Sequence, residues 1–136
     1  HSEPIKDLVW LSSKGGNEFL TTSTDGTIKW WDIWNFSQTT DHISIRESLT
    51  DNKNIVIGGT CLEYVAEYGP KYLIGTELGS IVLVTKKPKK AVEINYNNCY
   101  GIENNSWHFG SINSIKRNPF YPRFFASFGD WCVNVK

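Results

Sequence analysis

His1, Ser23 and Asp25 are the residue types of a nucleophilic triad, with a hydroxyl to attack, an imidazole to take its proton and a carboxylate to orient the imidazole. His1, His42 and His108 are also the residue type most used to bind zinc. The spacing argues against both chemistries. A triad needs an exposed nucleophile and an oxyanion site, whereas Thr21, Thr22, Ser23 and Thr24 form one strand-like run ending on Asp25-Gly26. The histidines lie far apart without ligand spacing, so no metal site is expected. Gly15-Gly16 and Gly58-Gly59 read as turn and strand glycines rather than phosphate loops.

The elements around these residues explain them better. Asp25-Gly26 is a tight-turn signal, since Gly accepts positive φ and the Asp side chain can bond backbone amides two residues on. Phe19 to Thr24 leads into it, and an alternating run from Thr27 leads out to Trp31-Asp32. The pattern echoes at Glu77-Leu78-Gly79-Ser80 and at Gly129-Asp130-Trp131. A strand, an Asp turn and a Trp-Asp strand with an upstream His form the signature of a WD40 propeller repeat. The echoes recur roughly fifty residues apart, against ~40–45 for such a repeat, and polar insertions at 51–54 and 97–106 account for the excess.

The expected fold is therefore all-β: a partial WD40 β-propeller of about three blades of four-stranded antiparallel sheet, the last incomplete. Blades are expected at approximately 1–50, 51–100 and 101–136. Closed propellers carry roughly 4–8 blades, so the chain is expected to be a fragment of one larger propeller domain. In the first blade the strands are Ile5 to Leu11, Phe19 to Thr24, Thr27 to Ile33 and His42 to Arg46. The second has Ile55 to Val65, Tyr72 to Thr76, Ser80 to Lys86 and Ala91 to Tyr96. Ile112 to Arg117, Phe124 to Phe128 and Trp131 to Val135 make the third. Sustained helical periodicity is missing, so little helix is expected.

Buried polar groups in a blade need partners. A turn Asp can accept from backbone amides and a histidine, the histidine can bond a Ser or Thr hydroxyl, and that hydroxyl can meet a Trp indole. The first blade offers His1, Thr21 or Ser23, Asp25 and Trp31 for this structural turn network. In the second, Leu78 stands for the Asp and Val84 for the Trp, leaving packing to hold the blade. The third keeps His108 and Asp130 but has Lys136 at the Trp position.

The 136 residues are 40% hydrophobic and 21% charged, a globular composition. Lys plus Arg and Asp plus Glu both total 14, which argues against a nucleic-acid surface. No apolar run approaches the roughly 20 residues of a membrane span, so no membrane partner is expected. Three cysteines without a CxxC pair suggest a reducing, cytosolic setting. Candidate partner-binding residues are large exposed-looking aromatics. Trp131 follows a turn Asp where the sister turns carry Gly26 and Gly79, and Trp is enriched among interface hot spots. Phe120 and Tyr121 sit in a loop stiffened by Pro119 and Pro122; Phe120 is expected to pack on the neighbouring blade and Tyr121 to be more open. Trp34, just past the Trp-Asp strand, is a further candidate. The basic run Lys86-Lys87-Pro88-Lys89-Lys90 reads as a solvated hairpin loop.

Taken in order, Thr22-Ser23-Thr24-Asp25-Gly26 with Trp30-Trp31-Asp32-Ile33, Gly75-Thr76-Glu77 with Gly79, Arg117 to Pro122, and Gly129-Asp130-Trp131 resemble the WD40-repeat region of the axonemal dynein intermediate chains, outer-arm type. The resemblance covers nearly the whole chain. It implies a non-catalytic scaffold that binds the dynein heavy-chain tail and a second intermediate chain, with dynein light chains as further partners and no cofactor. It also implies the axoneme of a cilium or flagellum as the location. The alternative is a generic WD40 peptide-binding module in another cytosolic complex; hydrolysis through His1, Ser23 and Asp25 is a distant third.

Overall fold

Within each sheet, tight turns fold most strands back on their predecessors, so sequence neighbours become sheet neighbours. The computed structural model describes residues 1–12, 15–48, 54–68, 71–85, 92–93, 99–100 and 108–135. Its strands are β1 (Ile5–Trp10), β2 (Glu18–Ser23), β3 (Thr27–Asp32), β4 (Asp41–Ser48), β5 (Asn54–Val56), β6 (Gly59–Tyr64) and β7 (Lys71–Thr76). They continue with β8 (Ile81–Thr85), β9 (Val92–Glu93), β10 (Cys99–Tyr100), β11 (Ile112–Arg117), β12 (Phe125–Gly129) and β13 (Val133–Val135). Among the described residues the only helical element is a 3-10 turn at Ala66–Tyr68.

Three sheets result. The first is a meander β1-β2-β3-β4-β5, the second runs β10-β8-β7-β6, and the third β11-β12-β13. They are open rather than closed on themselves, and together they make a partial WD40 β-propeller.

The middle blade explains its own sequence. β7 and β8 are almost wholly apolar because both their faces are covered, one by each neighbouring blade. Tyr72, Ile74, Val82 and Val84 join Leu20, Ile28, Trp30, Ile43 and Ile45 in a core between the first two blades. Leu73, Ile81 and Cys61 turn the other way and pack with Ile112, Ile115 and Phe125 between the second and third. Alternation along one strand thus feeds two cores. The outermost faces are open: Leu8 and Trp10 on the first blade are 47% and 56% exposed, and Val133 and Val135 on the third 69% and 72%.

Strand assignments differ from expectation at three places. The run Ile55 to Val65 is not one strand. It breaks at Ile57-Gly58, β5 pairing with β4 while β6 starts the second blade. Gly58 N donates to Glu77 Oε1 at 2.9 Å, which holds the break against the second turn. The second blade's fourth strand is Cys99–Tyr100, paired with β8, and not Ala91 to Tyr96. Val92–Glu93 instead lies parallel to β4 of the first sheet. The rest of that predicted strand, and the basic run at 86–90, lie outside the described residues.

Candidate functional site

β2 and β3 present Thr21 and Trp31 on one face, and the turn between them brings Asp25 beneath His1. Trp31 Nε1 donates to Thr21 Oγ1 at 2.8 Å, and the same oxygen lies 2.8 Å from His1 Nε2. His1 Nδ1 lies 3.0 Å from Asp25 Oδ2. With the Thr21 hydroxyl donating to Nε2, the neutral ring carries its proton on Nδ1 and donates it to Asp25. Asp25 Oδ2 also accepts from Ser2 N at 3.0 Å, while Oδ1 accepts from Thr27 N at 2.8 Å and from the Thr27 hydroxyl. Burial opposes the charged form of Asp25, but the hydrogen bonds from Thr27 and Ser2 outweigh it and hold the carboxyl below its ordinary 3.8.

Ser23 is elsewhere. Its hydroxyl is fully buried, donates to Glu3 O at 3.0 Å and receives Asp25 N–H at 3.2 Å. Thr21, not Ser23, is the histidine's hydroxyl partner: the two share a face of β2, but the Ser23 hydroxyl, next to the turn, is engaged with Glu3 O and Asp25 N while Thr21 lies between His1 and Trp31. The His1, Asp25 and hydroxyl groups therefore satisfy one another inside the blade. Thr27 belongs to the same cluster and escaped the sequence reading, although a Thr two residues after a turn Asp is a standard capping arrangement.

Asp25→Ala is expected to destabilise the chain by about 1–3 kcal/mol, because several buried donors lose one acceptor. The sign with pH follows from the depressed carboxyl. Asp25 contributes its full stability above pH 3.8 and loses it as pH falls through its lower folded value. Denaturant melts of parent and variant at neutral pH check this, and superimposable curves would remove the network from the account.

The second blade lacks both His and Asp at the equivalent places but substitutes a hydroxyl pair. Thr76 Oγ1 lies 2.7 Å from Ser80 Oγ and accepts Ser80 N–H at 3.1 Å. Val84, at the Trp position, is buried in the core. Leu78, at the place of Asp25, is 54% exposed, so the packing that holds this blade comes from Val84 and its core neighbours instead.

The third blade is a register change. In the first two hairpins Thr22 pairs with Ile28 and Gly75 with Ile81, whereas in the third Phe128 pairs with Val133. Its turn is one residue shorter, closed by Gly129 N donating to Cys132 O at 3.0 Å. Trp131 therefore sits at the tip itself and not at the position of Gly26 and Gly79. His108 Nε2 is 2.8 Å from Ser127 Oγ, as His1 is from Thr21, and its Nδ1 is 3.1 Å from Cys132 Sγ, where the first blade has Thr27. Asp130 is displaced outward by the shorter turn and accepts from Asn113 Nδ2 at 2.9 Å. Lys136 lies outside the described residues. Cys61, by contrast, is buried in the second core, and desolvation pushes its thiol up to about 11, which keeps it protonated and unreactive at neutral pH.

The four candidate contact aromatics all face solvent: Trp131 is 83% exposed, Phe120 84%, Trp34 82% and Tyr121 69%. Phe120 is thus more open than Tyr121, the reverse of expectation. Asn118 Oδ1 accepts both Phe120 N and Tyr121 N, and this turn swings Phe120 away from the neighbouring blade. Trp131 and the Phe120-Tyr121 loop lie at opposite ends of the third blade, so one small partner surface cannot touch both.

No family model matches the chain. Curated relatives do, over 99% of its residues: it is 37% identical to "Dynein, 70 kDa intermediate chain, flagellar outer arm" of Chlamydomonas reinhardtii. The chain corresponds to a segment of the axonemal dynein intermediate chains. It is also 33% identical to "Dynein axonemal intermediate chain 2" of Mus musculus and 32% identical to "Dynein intermediate chain 3, ciliary" of Heliocidaris crassispina, again over 99% of its residues. It spans about a fifth of the length of these intermediate chains, 22% of the first and 21% of the second.

Proposed function

We propose that the chain is part of a non-catalytic assembly subunit of an axonemal dynein motor complex, working in the axoneme of a cilium or flagellum. In this reading its propeller binds the dynein heavy-chain tail and a second intermediate chain, with light chains as further partners. All of 1–136 then belongs to a single propeller domain. The observation that carries the reading is the match to axonemal dynein intermediate chains along nearly the whole chain. Its chemistry agrees, since His1 and Asp25 are spent on holding a turn and the Ser23 hydroxyl has no path to a substrate.

Trp131 is the residue best placed to contact a partner. A two-residue turn, with its Asp130 bonded to Asn113, presents the Trp131 ring to solvent, where it offers a large apolar area to a partner. Trp131→Ala is expected to weaken affinity for the heavy-chain tail by about 2 kcal/mol or more, as hot-spot truncations do. Tyr121→Ala, at the blade's other end, should weaken the same contact less. Affinity is measured with the melting temperature as control. An unchanged affinity for Trp131→Ala would move the interface to a different blade.

A further inference from the structure

The third blade keeps the histidine of the first but changes what faces it. His1 Nδ1 meets the Asp25 carboxylate and the Thr27 hydroxyl, both at 3.0 Å. A carboxylate only accepts, so it fixes the ring proton on Nδ1. His108 Nδ1 meets the Cys132 thiol instead, at 3.1 Å, and the carboxylate of this turn, Asp130, is held by Asn113. A thiol donates as well as accepts, so Nδ1 can take its proton. The other ring nitrogen, Nε2, lies 2.8 Å from the Ser127 hydroxyl, and both residues are buried. With Nε2–H donated to Ser127 Oγ, the Nδ1 lone pair is directed at Sγ.

A nucleophile, a base within hydrogen-bond reach and a third group that orients the base are the parts of an activated nucleophile. Cys61 and Cys132, both free, differ sharply in this respect. Cys61 is buried in the second core with its thiol pushed up to about 11. Cys132 is partly exposed and stands in the turn that carries Trp131, which Gly129 N closes by donating to Cys132 O at 3.0 Å. Reactive cysteines occupy such partly exposed places beside a polar or charged neighbour, whereas buried apolar ones are inert.

We propose that Cys132 is a modification site, a thiol that passes its proton to His108 and exchanges with a low-molecular-weight disulfide. The thiolate attacks one sulfur of the disulfide, and the new S–S bond to Cys132 forms as the old one breaks. The departing thiolate takes the proton from His108 Nδ1 and leaves as a thiol. Cys132 is oxidised to a mixed disulfide, and the incoming disulfide is the species reduced. The proposal rests on the geometry of the third blade alone and stands apart from the dynein reading.

The test uses the full chain with glutathione disulfide as the probe, the mixed disulfide at each cysteine being followed over time by peptide mass spectrometry. The folded parent is compared with the same chain unfolded in urea at the same pH, where His108 no longer stands beside Cys132. Cys132 is expected to react about tenfold faster in the folded chain, the gain from a base at hand less what partial burial takes away. Cys61 should stay unmodified until the chain unfolds, which reports that the fold is intact. His108→Gln, shown to be folded by its melt and by protection of Cys61, should bring the folded rate down to the unfolded one. Cys132→Thr puts the chemistry of Thr27 at this place, and it should melt as the parent does while losing the fast-reacting site. A Cys132 that reacts no faster folded than unfolded, or equally fast in folded His108→Gln and parent, overturns the proposal. The folded-against-unfolded comparison needs no variant, so it decides the matter even where His108→Gln does not fold.

Discussion

Trp30→Ala is expected to destabilise the chain by roughly 3–5 kcal/mol, the cost of emptying a large aromatic site in a core that cannot collapse. Trp30 is 1% exposed and sits at the junction of the first two blades, its ring edge-on to Tyr72 with centroids 5.9 Å apart. Removing it takes support from both sheets at once. A loss of that size is a large share of the roughly 5–15 kcal/mol that holds a domain together. Trp30→Phe should cost much less. It keeps a ring against Tyr72 and deletes an indole N–H that is buried with no hydrogen-bond partner among the described residues. Denaturant melts of the two variants check the ordering. A Trp30→Phe variant as weak as Trp30→Ala would mean that the indole N–H has a partner of real value.

Gly79→Ala is the second large effect, expected at roughly 2–5 kcal/mol from left-handed backbone and overpacking together. Gly79 has φ +85°, a conformation that costs any residue with a Cβ. A Cβ there would also fall onto His108 O and within 2.7 Å of Gly110 O, which are backbone atoms of the segment leading into the third blade. His108 N donates to Gly79 O at 3.3 Å, so this turn is where the second blade meets the third. Gly16→Ala separates the two causes. Gly16 has φ +61° but nothing within 4 Å of an added Cβ, so it should show the backbone cost alone, about 1–2 kcal/mol. Equal losses for the two variants would show that the close approach at Gly79 contributes nothing.

These two sites mark how far the sequence could be read. The strand-turn-strand rhythm was legible because turn chemistry is local: Asp25-Gly26 and Gly79 announce their hairpins in two residues, and the strands around them follow within a residue or two of expectation. Register was not. Whether Phe128 faces Val133 or a residue further on depends on the number of residues in the turn that closes, and Gly129-Asp130-Trp131 looks in sequence like an Asp turn of the usual length. That ambiguity misplaced Trp131 by one position and gave Asp130 a histidine partner, where the structure gives His108 a cysteine. Lys6, Thr60 and Asn113 share no residue type, and only the register shifts in the first strands show that they are equivalent. Exposure of Phe120 was misjudged because the Asn118 side chain, and not the prolines, sets the direction of that loop.

The account stands on the chain acting as a scaffold inside an axonemal dynein complex, and one measurement addresses that directly. A native pull-down with the dynein heavy-chain tail compares the full-length subunit, its Trp131→Ala variant and its Ser23→Ala variant, each confirmed as folded by its melting curve. The account predicts that the parent and Ser23→Ala co-purify with the tail equally and that Trp131→Ala does so markedly less. Failure of the folded parent to co-purify with the tail would contradict it.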